Sequence, residues 1–360
     1  MRRLSKMLAL LASVLFLATA CSKKGTVPQG GGGGKPGGGM KVCLVSDEGG
    51  FDDRSFNELG AQGLKDAQKK LGITPLLIQS NNAQDYAPNI QSCLQQSSDL
   101  IITQGFNLAA ATEKAANDNP DQKFAIIDFS DAFMKSKPKN VRGLTFQTDQ
   151  AAFLAGYLAA GMTKSGTVGT FGGDNIPTVT IFMNGFAAGI LKFNQDEGKN
   201  VKLLGWDPAK QDGTFTGDFT NVQNGRAVAE DLISEGADII LPVAGPVGAG
   251  AAAAAQDAGH VNLIWVDTDG CINAPQFCPL FLTSVQKLID AAEIATIQSV
   301  IDGKFQGGSD YLGTLKNGGV TIAPFHDFES KVPQDLKSKI NELKAGIIDG
   351  SISVDPKDYL

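Results

Sequence analysis

The sequence predicts an α/β protein built from two Rossmann-like lobes that face each other across one cleft. Short apolar runs alternate with longer segments of helical periodicity, which is the pattern of βαβ units and a parallel sheet. The alternation occurs twice, in two consecutive sets of similar size. The 321 residues that follow residue 39 are long enough for two domains.

In the first set, four predicted strands alternate with three predicted helices. The strands are expected over residues 42–46, 76–79, 100–103 and 123–128, and the helices near residues 55–71, 88–96 and 109–117. Such spacing is typical of a parallel sheet, because parallel neighbours need a long crossover between them.

The second set repeats the pattern. Helices near residues 150–162, 179–194, 222–234 and 247–258 precede strands over residues 167–171, 201–206, 238–242 and 263–267. Two further helices are predicted over residues 285–301 and 333–349, and we expect the final elements to return and cover the lobes.

Polar groups at the ends of these strands are candidates for a binding site, because open α/β sheets bind ligands beyond the carboxyl ends of their strands. Two facing lobes would bring the groups together in one cleft. In the first set they are Asp47, Gln104 and Asp128, and in the second Gly172, Trp206, Gly245 and Asp267.

Composition and charge exclude several classes of protein. Residues 1–39 hold six basic and no acidic side chains, so the rest of the chain carries 25 basic and 38 acidic ones, a net charge of −13. This acidic body lacks the basic surface of a nucleic-acid-binding protein and disfavours anionic ligands. The two histidines, His260 and His326, are far apart in sequence and no CxxC pair occurs, so we predict no metal, no cofactor and no catalytic residue.

Residues 1–20 are predicted to be a signal peptide, since three basic residues precede an apolar run too short for a comfortable membrane span. Small residues then lead into Cys21, which resembles the lipobox of bacterial lipoproteins and would be acylated, although Ala18 stands where leucine is usual. Residues 21–39 are rich in glycine, lysine and proline and read as a flexible tether. The alternative is an ordinary signal peptide followed by an incidental cysteine.

Four further cysteines, an even number in an exported chain, permit disulfides. Cys271 and Cys278 would clip a small loop, and Cys43 would then join Cys93, linking the first strand to a nearby helix. Four buried thiols are the alternative.

The segment 52–57 starts a predicted helix, with Asp53 or Ser55 as its N-cap. Phe56 and Asn57 would project from the first turn, and an amide beside an aromatic ring suits a flat ligand that forms hydrogen bonds.

Three later features are weaker signals. The glycine-rich segment 245–250 follows a strand but has neither the GK[ST] of a P-loop nor GxGxxG spacing, so close backbone approach or packing is favoured over a phosphate site. Asp267 and Asp269 end a strand, but no nucleophile or histidine in the sequence supports catalysis by them. Lys287 stands at a predicted helix start, where a cation is unfavourable unless it faces a ligand oxygen or Asp267.

Six segments together resemble the basic membrane protein (Bmp) family, substrate-binding lipoproteins of ABC transporters whose best-understood members are purine-nucleoside receptors. Their order and spacing cover roughly residues 41–350. They are DDRSFNELGAQGL (52–64), QGFNLAAATEKAANDNPDQKFAIID (104–128), FLAGYLAAGMTKSGTVGTFGG (153–173), GFAAGI (185–190), VDTD (266–269) and LTSVQK (282–287).

The resemblance implies the type I periplasmic-binding-protein fold, in which two lobes joined by three crossovers close on a ligand. On this basis we expect an N-terminal lobe of residues 40–145 plus about 268–305. The C-terminal lobe would then comprise residues 146–267 plus about 306–360.

The resemblance also implies ligand contacts. Phe56 and Phe219 would sandwich the base, with Phe219 preferred to Phe215 because it lies six residues before Gly225, as in the family. Asp47, Asn57 and Asp128 would read polar edges of the base. Asp267 would accept from the ribose hydroxyls, Lys287 would donate to a ribose oxygen, and Gly245 would let the backbone approach the sugar. The family continues VDxD with glutamine, whereas here Gly270 and Cys271 begin an insertion that we expect near the cleft mouth.

The resemblance implies a monomeric, lipid-anchored receptor on the outer face of the cell membrane that passes a purine nucleoside to an ABC permease. A receptor for another small polar ligand, such as a sugar or a signal molecule, is one alternative. A surface adhesion lipoprotein is another. A repressor of the same fold would need a helix-turn-helix before the first lobe, where the sequence has the glycine-rich tether.

Overall fold

The computed structural model describes residues 37–360. The predicted signal peptide, Cys21 and most of the predicted tether lie outside the described residues. Within the described range, no helix combines the length and the apolar character needed to cross a membrane.

The described chain contains fourteen strands and ten α-helices. The strands are Lys41–Ser46 (β1), Thr74–Ile78 (β2), Leu100–Gln104 (β3), Lys123–Ile127 (β4), Val141–Phe146 (β5), Thr167–Gly172 (β6), Lys202–Leu204 (β7), Trp206–Asp207 (β8), Asp212–Gly213 (β9), Ile239–Val243 (β10), Asn262–Asp267 (β11), Phe281–Lys287 (β12), Tyr311–Gly313 (β13) and Val320–Ile322 (β14). The helices are Phe56–Leu71 (α1), Tyr86–Gln95 (α2), Ala109–Asp118 (α3), Thr148–Met162 (α4), Pro177–Glu197 (α5), Val222–Ser234 (α6), Gly248–Ala258 (α7), Gly270–Asn273 (α8), Ile289–Ile301 (α9) and Gln334–Asp349 (α10).

Each lobe is built on a six-stranded sheet. The first sheet has the order β13-β5-β4-β3-β1-β2 and is parallel throughout. The second has the order β14-β12-β11-β10-β6-β7 and is parallel except for β14, which runs antiparallel to β12. The inner strands are buried along almost their whole length, as expected of a sheet with helices on both faces. The predicted α/β fold with two Rossmann-like lobes is therefore confirmed.

The chain passes between the two sheets three times. It leaves the first sheet after β5, returns from β12 to α9, which packs on α1 of the first lobe, and leaves again between β13 and β14. The three predicted crossovers are present, but two lie elsewhere than expected. Residues 281–287 were assigned to the first lobe, yet they form β12 beside β11 in the second sheet, whereas residues 311–313 form an edge strand of the first sheet.

Strand β12 also corrects the predicted helix over residues 285–301, which begins only at Ile289. Residues 285–287 stay extended because they pair with β11 on one side and with β14 on the other. Strands β5, β13 and β14 were not predicted.

The two predicted disulfides, Cys43–Cys93 and Cys271–Cys278, are both present. The first links β1 to α2 inside the first lobe, where both cysteines are fully buried. The second closes a short loop over α8 and the turn that follows it.

Candidate functional site

The main cavity lies at the carboxyl ends of the strands of both sheets. It encloses about 590 Å³, part of it open to solvent, which is within the usual size of a small-molecule site. All eight residues predicted to bind a ligand line it: Asp47, Phe56, Asn57, Asp128, Phe219, Gly245, Asp267 and Lys287.

One cluster of polar side chains in this cleft comes from the end of β1 and the start of α1. Asn57 Nδ2 donates to Asp47 Oδ1 at 2.9 Å and to the Glu48 carbonyl at 3.1 Å. Asn57 Oδ1 is buried and has no hydrogen-bond partner among the described residues, so it can accept a hydrogen bond from a ligand. Burial raises the pKa of Asp47 well above its usual range, although the bond from Asn57 partly opposes this.

Asp53 fixes the start of α1 and thereby the positions of Phe56 and Asn57. Its two carboxylate oxygens accept from the backbone N–H groups of Ser55, Asn57 and Glu58 at 2.8–2.9 Å. Asp53 is therefore the residue that caps the helix. The hydroxyl of Ser55 instead donates to Asp267 Oδ2 in the other lobe at 3.1 Å.

Lys287 is the centre of a second cluster of polar side chains and is almost fully buried. Its Nζ lies 2.6 Å from Asp128 Oδ2 and 3.2 Å from Asp267 Oδ1, and therefore contacts a carboxylate of each lobe. It also lies over two aromatic rings, 4.8 Å from the centre of Phe56 and 5.2 Å from that of Phe182. Burial disfavours its charge, but the carboxylates of Asp128 and Asp267 outweigh burial and raise the pKa of Lys287.

Asp128 and Asp267 adopt the same rare backbone conformation. Asp128 directly follows β4 and Asp267 ends β11, the corresponding strands of the two sheets, with φ of 64° and 66° respectively. Non-glycine residues seldom adopt positive φ, and those that do cluster at functional sites. The turn at each strand end aims a carboxylate into the cleft.

Glycines follow the neighbouring strands of both lobes. At Gly105, a Cβ atom would lie 2.1 Å from Asp47 Oδ2, so the absent side chain leaves room for this carboxylate. Gly245 has a φ of 53° and nothing within 4 Å of its would-be Cβ, so its backbone faces open space in the cleft.

Of the two phenylalanines considered for the base site, Phe219 lines the cleft and Phe215 does not. Phe219 faces the cleft and its ring packs closely over Gly173, whereas Phe215 packs edge-on against Trp206 outside the cleft lining. Two further rings, Phe106 and Phe182, line the cleft and were not identified from the sequence. Phe182 has the spacing of a core residue of α5, which concealed its position.

The insertion between Cys271 and Cys278 contributes no residue to the described cleft lining, and its place at the mouth stays a prediction. Asp269 precedes it, and its Oδ2 accepts a hydrogen bond from His326 Nε2 at 2.8 Å. These two residues lie close to Cys271, but its sulfur is engaged in the disulfide and is not available as a thiolate ligand.

Hydrogen bonds join the two lobes across the cleft. Besides the bond from Ser55 to Asp267, the hydroxyl of Thr268 donates to the carbonyl of Arg54 at 3.3 Å. Together with the contacts of Lys287, these bonds hold the lobes against each other around an enclosed space, which is an arrangement for binding a small molecule.

The comparisons with known proteins agree with this geometry. Residues 40–357 match the family described as ABC transporter substrate-binding protein PnrA-like, Bmp. The ABC transporter nucleoside-binding protein BmpA of Lactococcus lactis subsp. cremoris is 32% identical, over 96% of this chain and 97% of that protein. Basic membrane protein A of Borreliella burgdorferi is also 32% identical, over 97% of this chain and 94% of that protein.

Among solved structures, a solute-binding protein of an ABC transporter system from Aeropyrum pernix K1 is similar, with a TM-score of 0.78 and 25% identity, covering 87% of this chain and 92% of that one. Proteins of this class bind small molecules for a membrane permease and are not enzymes. The chain therefore belongs to the Bmp family of PnrA-like ABC transporter substrate-binding proteins.

Proposed function

We propose that this receptor captures a nucleoside, most readily a purine nucleoside, between its two lobes and delivers it to an ABC permease. The observation that carries the proposal is one cleft that combines aromatic faces with two clusters of polar side chains. Phe56 and Phe219 supply faces for a base, and each stacked base is commonly worth about 1–3 kcal/mol.

The two clusters of polar side chains suit the two halves of a nucleoside. Asp47 and Asn57, with Asp128, would read the edges of the base, and the unpartnered Asn57 Oδ1 is free to accept from a ring or exocyclic N–H. Asp267 would accept from the ribose hydroxyls, Lys287 would donate to a ribose oxygen, and Gly245 would let the backbone approach the sugar.

The charge of the cleft favours a nucleoside over a nucleotide. Lys287 is the one cation among the described lining residues, and two carboxylates already neutralise it. A phosphate in this cleft, which Asp47, Glu48 and Asp53 also line, would find no further cation among the described lining residues, and burial of an uncompensated charge is costly.

The same proposal places the receptor outside the cytoplasm as a monomer anchored by a lipid on Cys21. Relatives support the lipid anchor: proteins of Pyrococcus horikoshii and Pyrococcus abyssi that are 30% and 31% identical are described as lipoproteins. Mass spectrometry of the chain extracted from membranes would detect an acylated N-terminal Cys21, and a mature chain that starts elsewhere would contradict the anchor.

Isothermal titration calorimetry with adenosine, guanosine, inosine and xanthosine tests the ligand, with ribose and adenosine monophosphate as comparisons. We expect at least one purine nucleoside to bind far more tightly than both comparisons. Tighter binding of ribose would instead indicate a sugar receptor. Absence of small-molecule binding together with capture of a host or matrix protein would indicate an adhesin.

Two phenylalanines four residues apart provide a matched test of the stacking role. Phe219→Ala should weaken nucleoside binding by about 1–3 kcal/mol, since it removes one face of the base site. Phe215→Ala removes the same side chain beside Trp206, outside the cleft, and should leave affinity nearly unchanged. Equal losses in both variants would contradict the assignment. Phe56→Ala should reduce binding as Phe219→Ala does.

A further inference from the structure

A second cavity adjoins the main cleft, and we call it the side chamber. It encloses about 630 Å³, part of it open to solvent. Four residues line both spaces, so the two cavities share one boundary: Phe106, Asp128, Thr178 and Lys287. The remaining wall comes mainly from the segment after β4, from the first crossover and from the start of α5.

The side chamber is mostly apolar. Phe129, Phe133, Phe146 and Ile181 line it together with Phe106, and Phe133 is 78% exposed. These side chains form a contiguous apolar surface, and such a surface marks a binding site.

Most polar side chains of the side chamber interact within the protein. Thr145 Oγ1 donates to the Tyr311 carbonyl at 3.0 Å, and Ser130 Oγ accepts from the N–H of Ala132 at 3.2 Å. Two hydroxyls are exceptions in the described chain: Thr148 Oγ1 is buried and lacks a hydrogen-bond partner, and Thr178 Oγ1 has none either. The chamber therefore offers an apolar surface with two hydroxyls available to a ligand.

We propose that the side chamber holds an apolar substituent on the base, so that the receptor prefers nucleosides whose base carries such a group. This inference rests on the proposed nucleoside function and names the ligand class more closely. Asp128, assigned to an edge of the base, borders the chamber together with its ion-pair partner Lys287, whereas Asp267 and Gly245, the other two residues assigned to the ribose, do not. A group on that edge of the base therefore enters the chamber.

Calorimetry with the full chain and three ligands tests the proposal. The ligands are adenosine, N6-benzyladenosine and 5′-methylthioadenosine, whose added groups extend from the base or from the ribose. We expect N6-benzyladenosine to bind at least about tenfold more tightly than adenosine, because the ring leaves water for an apolar wall. A benzyl compound that binds equally or more weakly overturns the proposal, and so does a gain confined to the 5′-methylthio compound.

Variants of the chamber wall test whether the gain in affinity for the benzyl compound arises in the side chamber. Ile181→Trp fills the chamber from α5 and should abolish the gain for the benzyl compound while adenosine affinity is kept. The matched control is Ile272→Trp, at an exposed isoleucine in the disulfide loop, which should retain the gain. If Ile181→Trp does not fold, Phe133→Ala, at a largely exposed position, should reduce the gain several-fold; an unchanged gain overturns the proposal.

The results separate this inference from the function on which it rests. Adenosine that binds without any advantage for the benzyl compound leaves the nucleoside function standing and overturns the side-chamber assignment. A chain that binds none of the three compounds overturns both.

Discussion

At the scale of single residues, Lys287 connects the two lobes electrostatically. One carboxylate of each lobe, from Asp128 and Asp267, contacts its Nζ, and both acids are held at a strand end with positive φ. Removing the ammonium group would leave two carboxylates close together in a buried site, and such uncompensated charges are strongly destabilising.

We predict that Lys287→Met lowers the free energy of unfolding by about 3–5 kcal/mol at neutral pH, the range seen when one partner of a buried ion pair is removed. Urea denaturation would measure it. Lys316→Met, at an exposed lysine, is the control and should have little effect. Adding Asp128→Asn to Lys287→Met should restore part of the loss, and a double variant less stable than the single one would contradict the electrostatic explanation.

Glu293 is a buried acid that has no part in the cleft. It lies on α9, is fully buried, and neither carboxylate oxygen has a hydrogen-bond partner in the described chain. Its Oε2 packs against the bare backbone of α1, since a Cβ at Gly63 would lie 1.9 Å away. Burial, with a smaller contribution from Asp290, raises the pKa of Glu293 well above its usual range.

This raised pKa predicts a pH dependence. The folded chain holds the Glu293 proton more tightly than the unfolded chain, so the associated stability is fully present below the ordinary glutamate pKa and is lost as pH rises towards the folded pKa. Glu293→Gln should therefore gain stability relative to the wild type, and the gain should be larger at pH 7 than at pH 5. Thermal denaturation at both values would measure it.

The exposed Glu235 provides the matched control. Glu235→Gln should show no such dependence on pH. A Glu293→Gln variant that loses stability more steeply than the wild type as pH rises would contradict the assignment.

At the scale of elements, the start of α1 depends on one side chain. Asp53 accepts three backbone N–H groups that no helical carbonyl can reach. Asp53→Ala should cost about 0.5–2 kcal/mol of stability by loss of the cap, with Asp52→Ala, an exposed neighbour, as control. Chemical denaturation would measure it. Because Phe56 and Asn57 follow the cap, nucleoside affinity should fall too, and an unchanged affinity would contradict the positioning role.

The elements most visible in the sequence were those with local signals. Periodicity predicted strands β1 to β4 of the first sheet and the major helices, because their residues alternate or repeat along the chain itself. Strand β12 was missed because its pattern, FLTSVQK, also fits a helix start, and only its pairing with β11 and β14 keeps it extended. The short edge strands β13 and β14 depend on a distant partner for the same reason.

Those lining residues of the cleft that lie at strand ends could be predicted from the sequence. The strand-end rule and the family resemblance together selected eight residues that the fold brings together, but the rule also selected Gln104, Gly172 and Trp206, which are not among the described lining residues. Phe106 and Phe182 were missed because an aromatic residue at helical or turn spacing is indistinguishable in sequence from one in the core. Whether such a ring faces a core or a cleft is decided by the opposite lobe.

At the scale of the whole molecule, hydrogen bonds such as those of Ser55 and Thr268 join the lobes, and we propose that closure on a ligand depends on them. Ser55→Ala removes the bond to Asp267 and should shift the population towards open forms, lowering nucleoside affinity several-fold by mass action. Small-angle scattering at one subsaturating ligand concentration should then show a smaller decrease in the radius of gyration than for the wild type. Ser338→Ala, on the exposed face of α10, should behave as the wild type. Wild-type affinity in Ser55→Ala would show that this bond does not contribute to closure.

The three crossovers also set the order in which the molecule can be completed during synthesis. The first sheet lacks its edge strand until residues 311–313 have been made, whereas all five parallel strands of the second sheet are present by residue 287. Both sheets therefore wait for the last crossover, since β13 completes the first sheet and β14, at residues 320–322, completes the second. A nascent chain stopped anywhere before residue 313 has an unfinished edge at β5, so neither lobe corresponds to a continuous piece of the chain that could be made, or lost, by itself.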